Sequence, residues 1–359
     1  MLILALVLYG WTAFVALTNL LLIPRPSRRG ESAQFVILIP ARNEAENLRQ
    51  LLPRLVRPDQ PVFVFDDEST DRTGEIGRQL GATVLTPREK LPEGWTGKNR
   101  ACFELAKAAA EGFSGEWMLF LDADVAPEAD FLEAMGRTLA DQGRRAPVLT
   151  GSTRLIAGGG GEPIFLEWVP WSLAGTNPFG LVARTGVGHN FFTNGQVVAW
   201  RTSTYWEVNP HETLRGRILE DVATGRLLAR LKVRVRVLDL GSILGVRMYR
   251  SPGEAIDGMS KNSYEIAGSA AGTVAFALLM LLAAWLWLPL AVAGHWVPGA
   301  LFFLSGTCVG WLSRRASLWF PVLALLSPIT LSIGAYVCLR SVVWRRQGRV
   351  SWKGRTYAP

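Results

Sequence analysis

Two acidic residues that follow an apolar run are the side chains in this sequence best placed to do chemistry. Asp122 and Asp124 come directly after residues 117–121, which are all apolar. A short apolar run of this kind is typical of a buried strand in a parallel sheet, and ligands bind beyond the carboxyl ends of such strands. Because residues two apart on an extended chain point to the same side, the two carboxylates could hold a hard divalent cation, which could hold a diphosphate. Acids at this spacing are also common in solvated turns, so the pair alone does not establish a site.

A second acidic pair, Asp66 and Asp67, follows the apolar residues 61–65. The simpler interpretation of acids at this point is helix capping, which Ser69 or Asp71 could provide. We expect Asp71 to be the cap, which leaves Asp66 and Asp67 to bind the N–H groups of a base or the hydroxyls of a ribose. Acids therefore follow two of the predicted strands.

The elements that must position these acids alternate between strand and helix. Strands are predicted at 35–40, 61–65, 83–85, 117–121 and 147–150, and a helix is predicted to open at 41–47. Strand–helix alternation at this spacing predicts an α/β fold, with a mostly parallel sheet flanked by helices. Residues 233–238 alternate between aliphatic residues and arginine, which predicts a further, half-buried strand with its arginines outward.

The composition indicates a soluble domain joined to a membrane part. Of the 359 residues, 49% are hydrophobic, and the formal net charge is +8. The basic residues cluster beside apolar stretches, so an anionic membrane surface accounts for the charge better than nucleic acid does. The three cysteines, Cys102, Cys308 and Cys338, are widely spaced. Neither a disulfide framework nor a zinc site follows from them, and they are compatible with a reducing compartment.

The first apolar stretch, residues 1–23, has no charged side chain and is long enough to cross a bilayer, which takes ~20 residues. A cleaved secretory signal would begin with basic residues and have a shorter apolar core, so an uncleaved anchor is favoured. Arg25, Arg28 and Arg29 follow at once and place that flank in the cytoplasm. We therefore expect an integral protein of the cytoplasmic membrane, with a transmembrane anchor at 1–24.

Three further apolar stretches, at 270–293, 296–312 and 318–339, suit one membrane span each, although the middle one is short. We expect transmembrane helices at 268–340 and a basic tail at 341–359. If the catalytic domain is cytoplasmic, three membrane crossings after it would place this tail on the outer side of the membrane. That would go against the tendency of basic residues to stay on the cytoplasmic side. One stretch is therefore expected to be re-entrant or interfacial, and Pro321 and Pro328 favour the last one.

Three motifs, taken in order, resemble the signature of family 2 glycosyltransferases. They are Ile39-Pro40-Ala41-Arg42-Asn43-Glu44, Asp66-Asp67-Glu68-Ser69-Thr70-Asp71-Arg72-Thr73 and Asp122-Ala123-Asp124. Two more, Gly94-Trp95-Thr96-Gly97-Lys98-Asn99 and Trp352-Lys353-Gly354-Arg355, resemble the membrane-bound branch associated with carotenoid and hopanoid gene clusters. The resemblance implies a nucleotide-sugar donor and a cytoplasmic catalytic domain with the GT-A fold at 33–265.

The resemblance also implies a donor site with a metal. The donor-binding residues that it implies are Pro40, Ala41, Glu44, Asp66, Asp67, Lys98, Asp122 and Asp124. Asp67 would face the base, and Asp122 would lie near the ribose and the diphosphate. Asp124, with Asp122, would bind a Mg²⁺ or Mn²⁺ ion that bridges the two phosphates, since hard oxygen ligands favour these cations over zinc. Lys98 could reach a phosphate, or it could be a solvated loop lysine.

On the acceptor side, the loop Asn194, Gly195 and Gln196 resembles the family loop whose glycine lets the backbone pass close to the donor sugar. Glu220 and Asp221 open an apolar helix and could merely favour its dipole. In the family, however, an acidic pair at this point supplies the general base, which the resemblance assigns to Asp221, with Glu220 as the alternative. An acceptor hydroxyl needs such a base because it must lose its proton as it attacks the anomeric carbon. A base and a metal-bound leaving group on opposite faces of the sugar predict inversion.

We therefore expect a metal-dependent, inverting hexosyltransferase that moves a hexose, with glucose expected, from a UDP-sugar to a membrane-lipid acceptor such as a carotenoid or hopanoid. Membrane spans spare the acceptor a cost of ~0.8 kcal/mol for each CH₂ exposed to water. Many processive members carry Gln-x-x-Arg-Trp, but the comparable residues 247–251 lack it, which argues against a polysaccharide synthase.

Three alternatives remain open. One is a synthase of a polyprenyl-phosphate sugar or a glycolipid. Another is a nucleotidyltransferase, which would need neither the acidic pair at 220–221 nor several spans. The third is a non-catalytic membrane scaffold that binds nucleotide sugar, which would have no need for Asp124 and Asp221 together.

Overall fold

The computed structural model describes residues 1–156, 162–185, 193–249, 251–314, 320–347, 351–352 and 355–356. Lys353 and Gly354 of the last motif named above lie outside this part, as does Arg250 of the stretch 247–251. The chain divides into two compact units. The helical unit comprises Met1–Ile23, Arg154–Thr185 and Arg247–Pro359, and the sheet unit comprises Pro24–Thr153 and Gly186–Val246.

The elements are numbered in chain order. The strands are β1 (Phe35–Ala41), β2 (Val62–Asp66), β3 (Thr83–Leu85), β4 (Trp117–Leu121), β5 (Val125–Pro127), β6 (Val148–Ser152), β7 (Arg154–Leu155), β8 (Val197–Arg201), β9 (Val235–Asp239), β10 (Leu244–Val246), β11 (Ser351–Trp352) and β12 (Arg355–Thr356). The helices are α1 (Leu2–Leu22), α2 (Ala45–Leu55), α3 (Thr73–Gln79), α4 (Gly97–Gly112), α5 (Phe131–Gln142), α6 (Glu162–Leu166), α7 (Trp168–Ala174), α8 (Phe179–Thr185), α9 (Thr202–Val208), α10 (Pro210–Thr213), α11 (Glu220–Arg230), α12 (Pro252–Ala267), α13 (Ala270–Trp285), α14 (Trp287–Val292), α15 (Val297–Arg314), α16 (Phe320–Leu325) and α17 (Ser327–Arg346).

The sheet unit is built on a sheet with the strand order β3-β2-β1-β4-β8-β6-β9. Strands β3, β2, β1 and β4 are parallel, β8 is antiparallel to both β4 and β6, and β9 is parallel to β6. The predicted α/β fold with a mixed, mostly parallel sheet is therefore confirmed. All five residues of β4 are buried, as a continuously apolar run at the centre of such a sheet requires.

Helix α4 covers the part of the sheet beneath the acids. Its buried residues Ala101, Leu105 and Ala109 recur every four positions, so they share one face of the helix. This face joins a core cluster with Met118 and Phe120 of β4. Because a helix between parallel strands runs back along the sheet, the first turn of α4 lies at the edge where β4 ends.

The observed strands differ from the predicted ones mainly at their ends. β1 extends to Ala41 and β2 to Asp66, because these two residues are partners in the parallel ladder. β9 begins at Val235 rather than at 233, since Lys232 follows α11 in a left-handed turn with φ of 57°. The prediction that its arginines face outward is wrong for Arg236, which is half-buried and donates a hydrogen bond to Gln142.

Asp71 does not serve as the N-cap of α3, contrary to the expectation. The N-cap position is held by Arg72, whose own side chain makes no capping hydrogen bond. Asp71 instead accepts hydrogen bonds from the N–H groups of Thr73 (3.0 Å) and Ala45 (3.1 Å). It therefore ties the start of α3 to the start of α2 and holds the loops after β1 and β2 together.

In the described part of the helical unit, three helices are long and apolar enough to cross a membrane: Leu2–Leu22, Ala270–Val292 and Ser327–Arg346. The middle C-terminal stretch forms a shorter apolar helix, Val297–Ser313, as the sequence predicts. The last stretch, which we expect to be re-entrant or interfacial, contains the third of these helices. Pro328 lies in the first turn of α17, where proline is tolerated, so this helix runs on for 20 residues.

Helices α13 and α17 run antiparallel. Near the end of α13, Trp285 Nε1 donates to Ser332 Oγ (2.9 Å), which lies near the start of α17. At the other end of α17, Arg345 pairs with Glu265 (3.1 Å) on α12, the helix that directly precedes α13. The end of α17 therefore returns to the side on which α13 begins.

Candidate active site

The ends of β1 and β4 and the starts of α4 and α11 surround a small cavity in the sheet unit. Its volume is about 30 Å³, which is room for about two water molecules. A nucleotide sugar is far larger, so this cavity alone could not hold the expected donor. The sequence-predicted residues that line it are Pro40, Lys98, Asp122, Gly195, Glu220 and Asp221.

Lys98 joins two acidic pairs that are far apart in the sequence. Its Nζ lies 2.8 Å from Asp122 Oδ1 and 2.8 Å from Glu220 Oε1. The three side chains are 20%, 26% and 11% exposed, in that order. Burial disfavours the charged amine, but the two carboxylates outweigh it and raise the pKa of Lys98 well above its ordinary value. The alternative of a solvated loop lysine is therefore excluded, and a fixed positive charge lies between the two pairs.

Asp124 has an oxygen that suits a cation. Its Oδ1 is buried and has no hydrogen-bond partner in the described structure. Burial, followed by the charge of Asp122, raises the pKa of Asp124 to about 7. Because a buried carboxylate oxygen without a donor is costly, this atom fits a ligand for a divalent ion.

Asp122 fits a metal ligand less well than Asp124. Lys98 Nζ contacts both of its carboxylate oxygens, Oδ1 at 2.8 Å and Oδ2 at 3.1 Å. Within the described ranges, no group of three or more His, Cys, Asp or Glu side chains could hold a metal ion. A cation at this edge would therefore need oxygens beyond the protein, such as those of a diphosphate or water.

Asp221 is held by backbone N–H groups. Its Oδ1 accepts from the N–H of Val222 (2.7 Å), and its Oδ2 accepts a long hydrogen bond from the N–H of Gly195 (3.4 Å). Burial, followed by the charge of Glu220, raises the pKa of Asp221 to about 6. A carboxylate with a pKa in this range can accept a proton near neutral pH, which a general base must do.

Gly195 sits where even a methyl side chain would press against the charged groups of the site. A Cβ at this position would lie 3.1 Å from Glu220 Oε1 and 3.2 Å from Lys98 Nζ. The neighbours of Gly195 shape the turn around it. The Asn194 side chain accepts from the N–H of Gln196 (3.1 Å), and the main-chain oxygen of Gln196 accepts from the N–H of Asp122 (3.1 Å).

The loops after β1 and β2 place the predicted nucleotide-binding residues side by side. The N–H of Asp67 donates to Ala41 O (2.8 Å), and its main-chain oxygen accepts from Arg42 Nη1 (2.6 Å). Asp67 is 2% exposed. Asp66 is engaged in the turn, since its Oδ1 accepts from the N–H of Ser69 (3.1 Å). Of this pair, Asp66 therefore has a structural role in addition to any role toward a ligand.

Some predicted residues lie on the same loops but do not line the cavity. They are Ala41, Glu44, Asp66, Asp67, Asp124, Asn194 and Gln196. Glu44 occupies the N-cap position of α2, and its carboxylate accepts from Asn47 Nδ2 (2.6 Å). The structure thus brings Lys98, Asp122 and the acidic pair of α11 together at one cavity, and it places the loops after β1 and β2 side by side.

Several residues of the site are not singled out by the sequence analysis. Thr193 Oγ1 donates to the main-chain oxygen of Asp221 (2.7 Å). His211 Nδ1 lies 2.8 Å from Tyr205 OH, and burial, followed by the charge of Lys98, lowers the pKa of His211 to about 3. Both are single residues of common type that only the fold brings to the site. Asn99 is different, because it lies next to Lys98 inside the motif formed by residues 94–99.

Comparisons with known proteins agree with this architecture. Residues 36–164 match the family model "Glycosyl transferase family 2". A 4,4'-diaponeurosporenoate glycosyltransferase of Staphylococcus haemolyticus is 28% identical over 239 residues, which are 62% of this chain and 59% of the relative. The protein of the same name from Staphylococcus aureus (strain USA300) is 25% identical over 339 residues, which are 90% of this chain and 88% of the relative.

Among solved structures, a mannosyltransferase of Pyrobaculum calidifontis, in complex with GDP-Man and Mn²⁺, has a similar fold. The TM-score is 0.52 with 15% sequence identity, and the match covers 96% of this chain and 98% of the mannosyltransferase. At this identity the likeness concerns the fold alone. The matched family model and the glycosyltransferase relatives identify the chain as a glycosyltransferase with a family 2 domain at residues 36–164, and the strand order, together with the likeness to the mannosyltransferase, shows the GT-A fold.

Proposed function

We propose that the protein is a metal-dependent, inverting hexosyltransferase that moves a hexose, with glucose expected, from a UDP-sugar to a carotenoid or hopanoid lipid. The observation that carries this proposal is the bridge through Lys98, which brings Asp122 and Glu220 to one cavity. Transfer requires a donor site and a base at the same sugar, and this bridge joins the two candidates. The Staphylococcus relatives, whose names contain 4,4'-diaponeurosporenoate, support an acceptor of the carotenoid class.

On the donor side, the nucleotide would bind along the loops after β1 and β2. Pro40, Ala41 and Glu44 would line its pocket, and Asp67 would face the base, with Asp66 supporting the turn. The ladder pairing of Ala41 with Asp66 supports this arrangement, because it sets the two loops side by side. The carboxyl edge of a parallel sheet is where such ligands bind.

The diphosphate would lie beside Asp122 and Asp124. Asp124 would be the main ligand of a Mg²⁺ or Mn²⁺ ion, supported by its unpartnered Oδ1, and Asp122 would be the lesser one. When bound, the cation offsets the charge that develops on the leaving nucleoside diphosphate. Lys98 adds a positive charge that is already fixed in the protein, so it can attract the same phosphates without reorganising.

On the acceptor side, Asp221 would take the proton of an acceptor hydroxyl. Glu220 is the weaker candidate because its carboxylate is already paired with Lys98 at 2.8 Å. The hydrogen bonds described for the carboxylate of Asp221 come from the backbone N–H groups of Val222 and Gly195. These bonds orient the carboxylate of Asp221, and its oxygens keep lone pairs that can accept the proton. The loop Asn194–Gln196 would pass beside the sugar.

The acceptor would come from the membrane. The apolar helices support an integral protein of the cytoplasmic membrane, with an anchor at 1–24, transmembrane helices at 268–340 and a basic tail at 341–359. The antiparallel packing of α13 and α17 supports an even number of crossings after the catalytic domain at 33–265. The basic tail would then lie in the cytoplasm, as the distribution of basic residues favours.

The test is a transfer assay in membranes. Membranes that contain the protein are incubated with labelled UDP-glucose and added carotenoid or hopanoid lipids, with and without Mn²⁺, and the labelled product is identified. We expect labelled lipid that depends on the metal. A labelled polyprenyl phosphate or glycerolipid would favour the alternative synthase, and donor binding without any product would favour the scaffold.

A further inference from the structure

The first turn of α4 departs from the usual pattern of a helix start. Thr96 is the N-cap, and its Oγ1 accepts from the N–H of Asn99 (3.3 Å). In a capping box, the side chain three residues after the cap turns back to the N–H of the cap residue. In this protein, the N–H of Thr96 instead donates to Arg215 O (2.7 Å), and the Asn99 side chain points to the same distant loop.

The side-chain amide of Asn99 lies within hydrogen-bond distance of three carbonyl groups of that loop. Its Nδ2 lies 2.9 Å from Leu214 O, 3.2 Å from Arg215 O and 3.0 Å from Arg217 O. Asn99 is completely buried, with 0% exposed. The loop also contains a turn in which the N–H of Arg217 donates to Leu214 O (2.8 Å). One amide group therefore fixes the path of residues 214–217.

The other end of the Asn99 amide has no partner. Its Oδ1 is buried and accepts no hydrogen bond in the described structure. A buried acceptor that is left unpaired costs free energy, so this oxygen counts against stability. Asn99 contributes to the fold through the hydrogen bonds of its Nδ2. The unpaired Oδ1 is the kind of buried polar atom for which a functional role can be the explanation.

The loop held by Asn99 leads directly into the proposed base. Glu220, the first residue of α11, comes three residues after Arg217. Lys98, the neighbour of Asn99 in the same helical turn, holds the carboxylate of Glu220 at 2.8 Å. Two consecutive residues of α4 thus hold the acidic pair in place. Asn99 binds the backbone of the loop that precedes the pair, and Lys98 binds the side chain of Glu220.

We propose that Asn99 is a positioning residue, which sets the place of Glu220 and Asp221 relative to Asp122 through the loop 214–217. The inference rests on the proposed function, because it assigns Asp221 a proton to accept. Asn99 itself touches neither donor nor acceptor in this account. Its loss should therefore reduce the transfer step and leave donor binding in place.

The test compares Asn99→Asp and Asn99→Ala with a matched control. Asn99→Asp is isosteric and turns an oxygen toward the three carbonyls, whereas Asn99→Ala removes the donor without adding charge. The control is Asn19→Asp, because Asn19 is also completely buried and its Nδ2 donates to Ala174 O (2.7 Å) and Asn177 O (2.8 Å) in the helical unit. The readouts are kcat, KM for UDP-glucose, and hydrogen exchange of the peptide 214–221.

For both Asn99 variants, we expect kcat to fall about 10- to 100-fold, since small misplacements of a reacting group have effects of this size, while KM for the donor stays within about twofold. Exchange in 214–221 should become faster than in the control. Gly216→Ala provides an independent variant in case the Asn99 variants do not fold. Its Cβ would lie 3.1 Å from Gly94 O and would displace the same loop by a few tenths of an ångström, so it should lower kcat in the same selective way.

Two results would overturn the inference. One is unchanged kcat together with unchanged exchange of 214–221 in folded Asn99→Ala. The other is a loss of kcat that comes with an equal loss of donor binding and with faster exchange throughout the sheet unit, which would mark a purely structural residue. If wild-type protein transfers no sugar to any lipid, the proposed function is wrong. Faster hydrogen exchange of 214–221 in the variants would then still support the contact between Asn99 and the loop.

Discussion

The assignment of Asp221 as general base predicts a specific loss in the variant Asp221→Asn. The substitution keeps the shape of the side chain and can keep a hydrogen bond from the N–H of Val222, but it removes the group that accepts the proton. Removal of a general base typically costs 10²- to 10⁴-fold in rate, so kcat should fall by about this amount. Because Asp221 does not bind the nucleotide in this account, the affinity for UDP-glucose should stay within about twofold of wild type.

The same assignment fixes the pH dependence of the wild-type enzyme. The pKa of Asp221 is raised to about 6, first by burial and then by the charge of Glu220. A base must be ionised to act, so activity should be nearly full at pH 7, half at pH 6, and about tenfold lower at pH 5 than at pH 7. Replacing Glu220 with glutamine removes a negative charge that raises the pKa of Asp221. The fall in activity at acidic pH should therefore occur at a lower pH than in wild type.

The assay measures kcat at saturating donor and metal with a hydroxyl-bearing lipid acceptor, from pH 5 to pH 8, for wild type, Asp221→Asn and Glu220→Gln. Donor affinity is measured at each pH, which separates loss of binding from loss of the base. Near-wild-type turnover in Asp221→Asn would refute the assignment. If Glu220→Gln loses turnover and Asp221→Asn keeps it, the base is Glu220. An acceptor that attacks as a carboxylate has no proton to lose, so with such a lipid the effect of Asp221→Asn should be much smaller.

Three further predictions concern the donor site and the membrane. Asp124→Asn should abolish the increase in UDP-glucose affinity that Mn²⁺ gives to wild type, since the variant loses the charge of the proposed ligand; equal metal dependence in a titration would contradict this role. Lys98→Met should lower both transfer and the midpoint of thermal unfolding, because it leaves the carboxylates of Asp122 and Glu220 facing each other without a cation, and a variant as stable as wild type would show that the bridge contributes little. A reporter fused after the last residue should be active only as a cytoplasmic fusion, since α17 returns to the side where α13 begins; activity on the outer side would contradict the proposed topology.

The sequence predicts the sheet and the position of its acids well because both follow from local patterns. The apolar run of β4 is buried throughout, and Asp122 follows it at the edge of the sheet, as a strand between helices requires. The ends of strands are less certain. The pairing of Ala41 with Asp66 and the left-handed turn at Lys232 depend on the neighbouring chain, which periodicity does not show.

The geometry of the site depends on contacts that no local pattern shows. Lys98 and Glu220 are separated by more than one hundred positions in the sequence, so their ion pair follows only from the fold. The resemblance names both residues without showing that they touch. The hold of Asn99 on the loop 214–217 is likewise a long-range contact, although its place beside Lys98 could have drawn attention to it.

The stereochemistry of the product tests the central claim most directly. A base at Asp221 and a diphosphate beside Asp122 and Asp124 would lie on opposite faces of the sugar, so the acceptor would attack from the side away from the leaving group. NMR of the product formed from UDP-glucose, in which the sugar is α-linked, measures the outcome. A β-linked glycolipid is predicted, and an α-linked product would contradict the account.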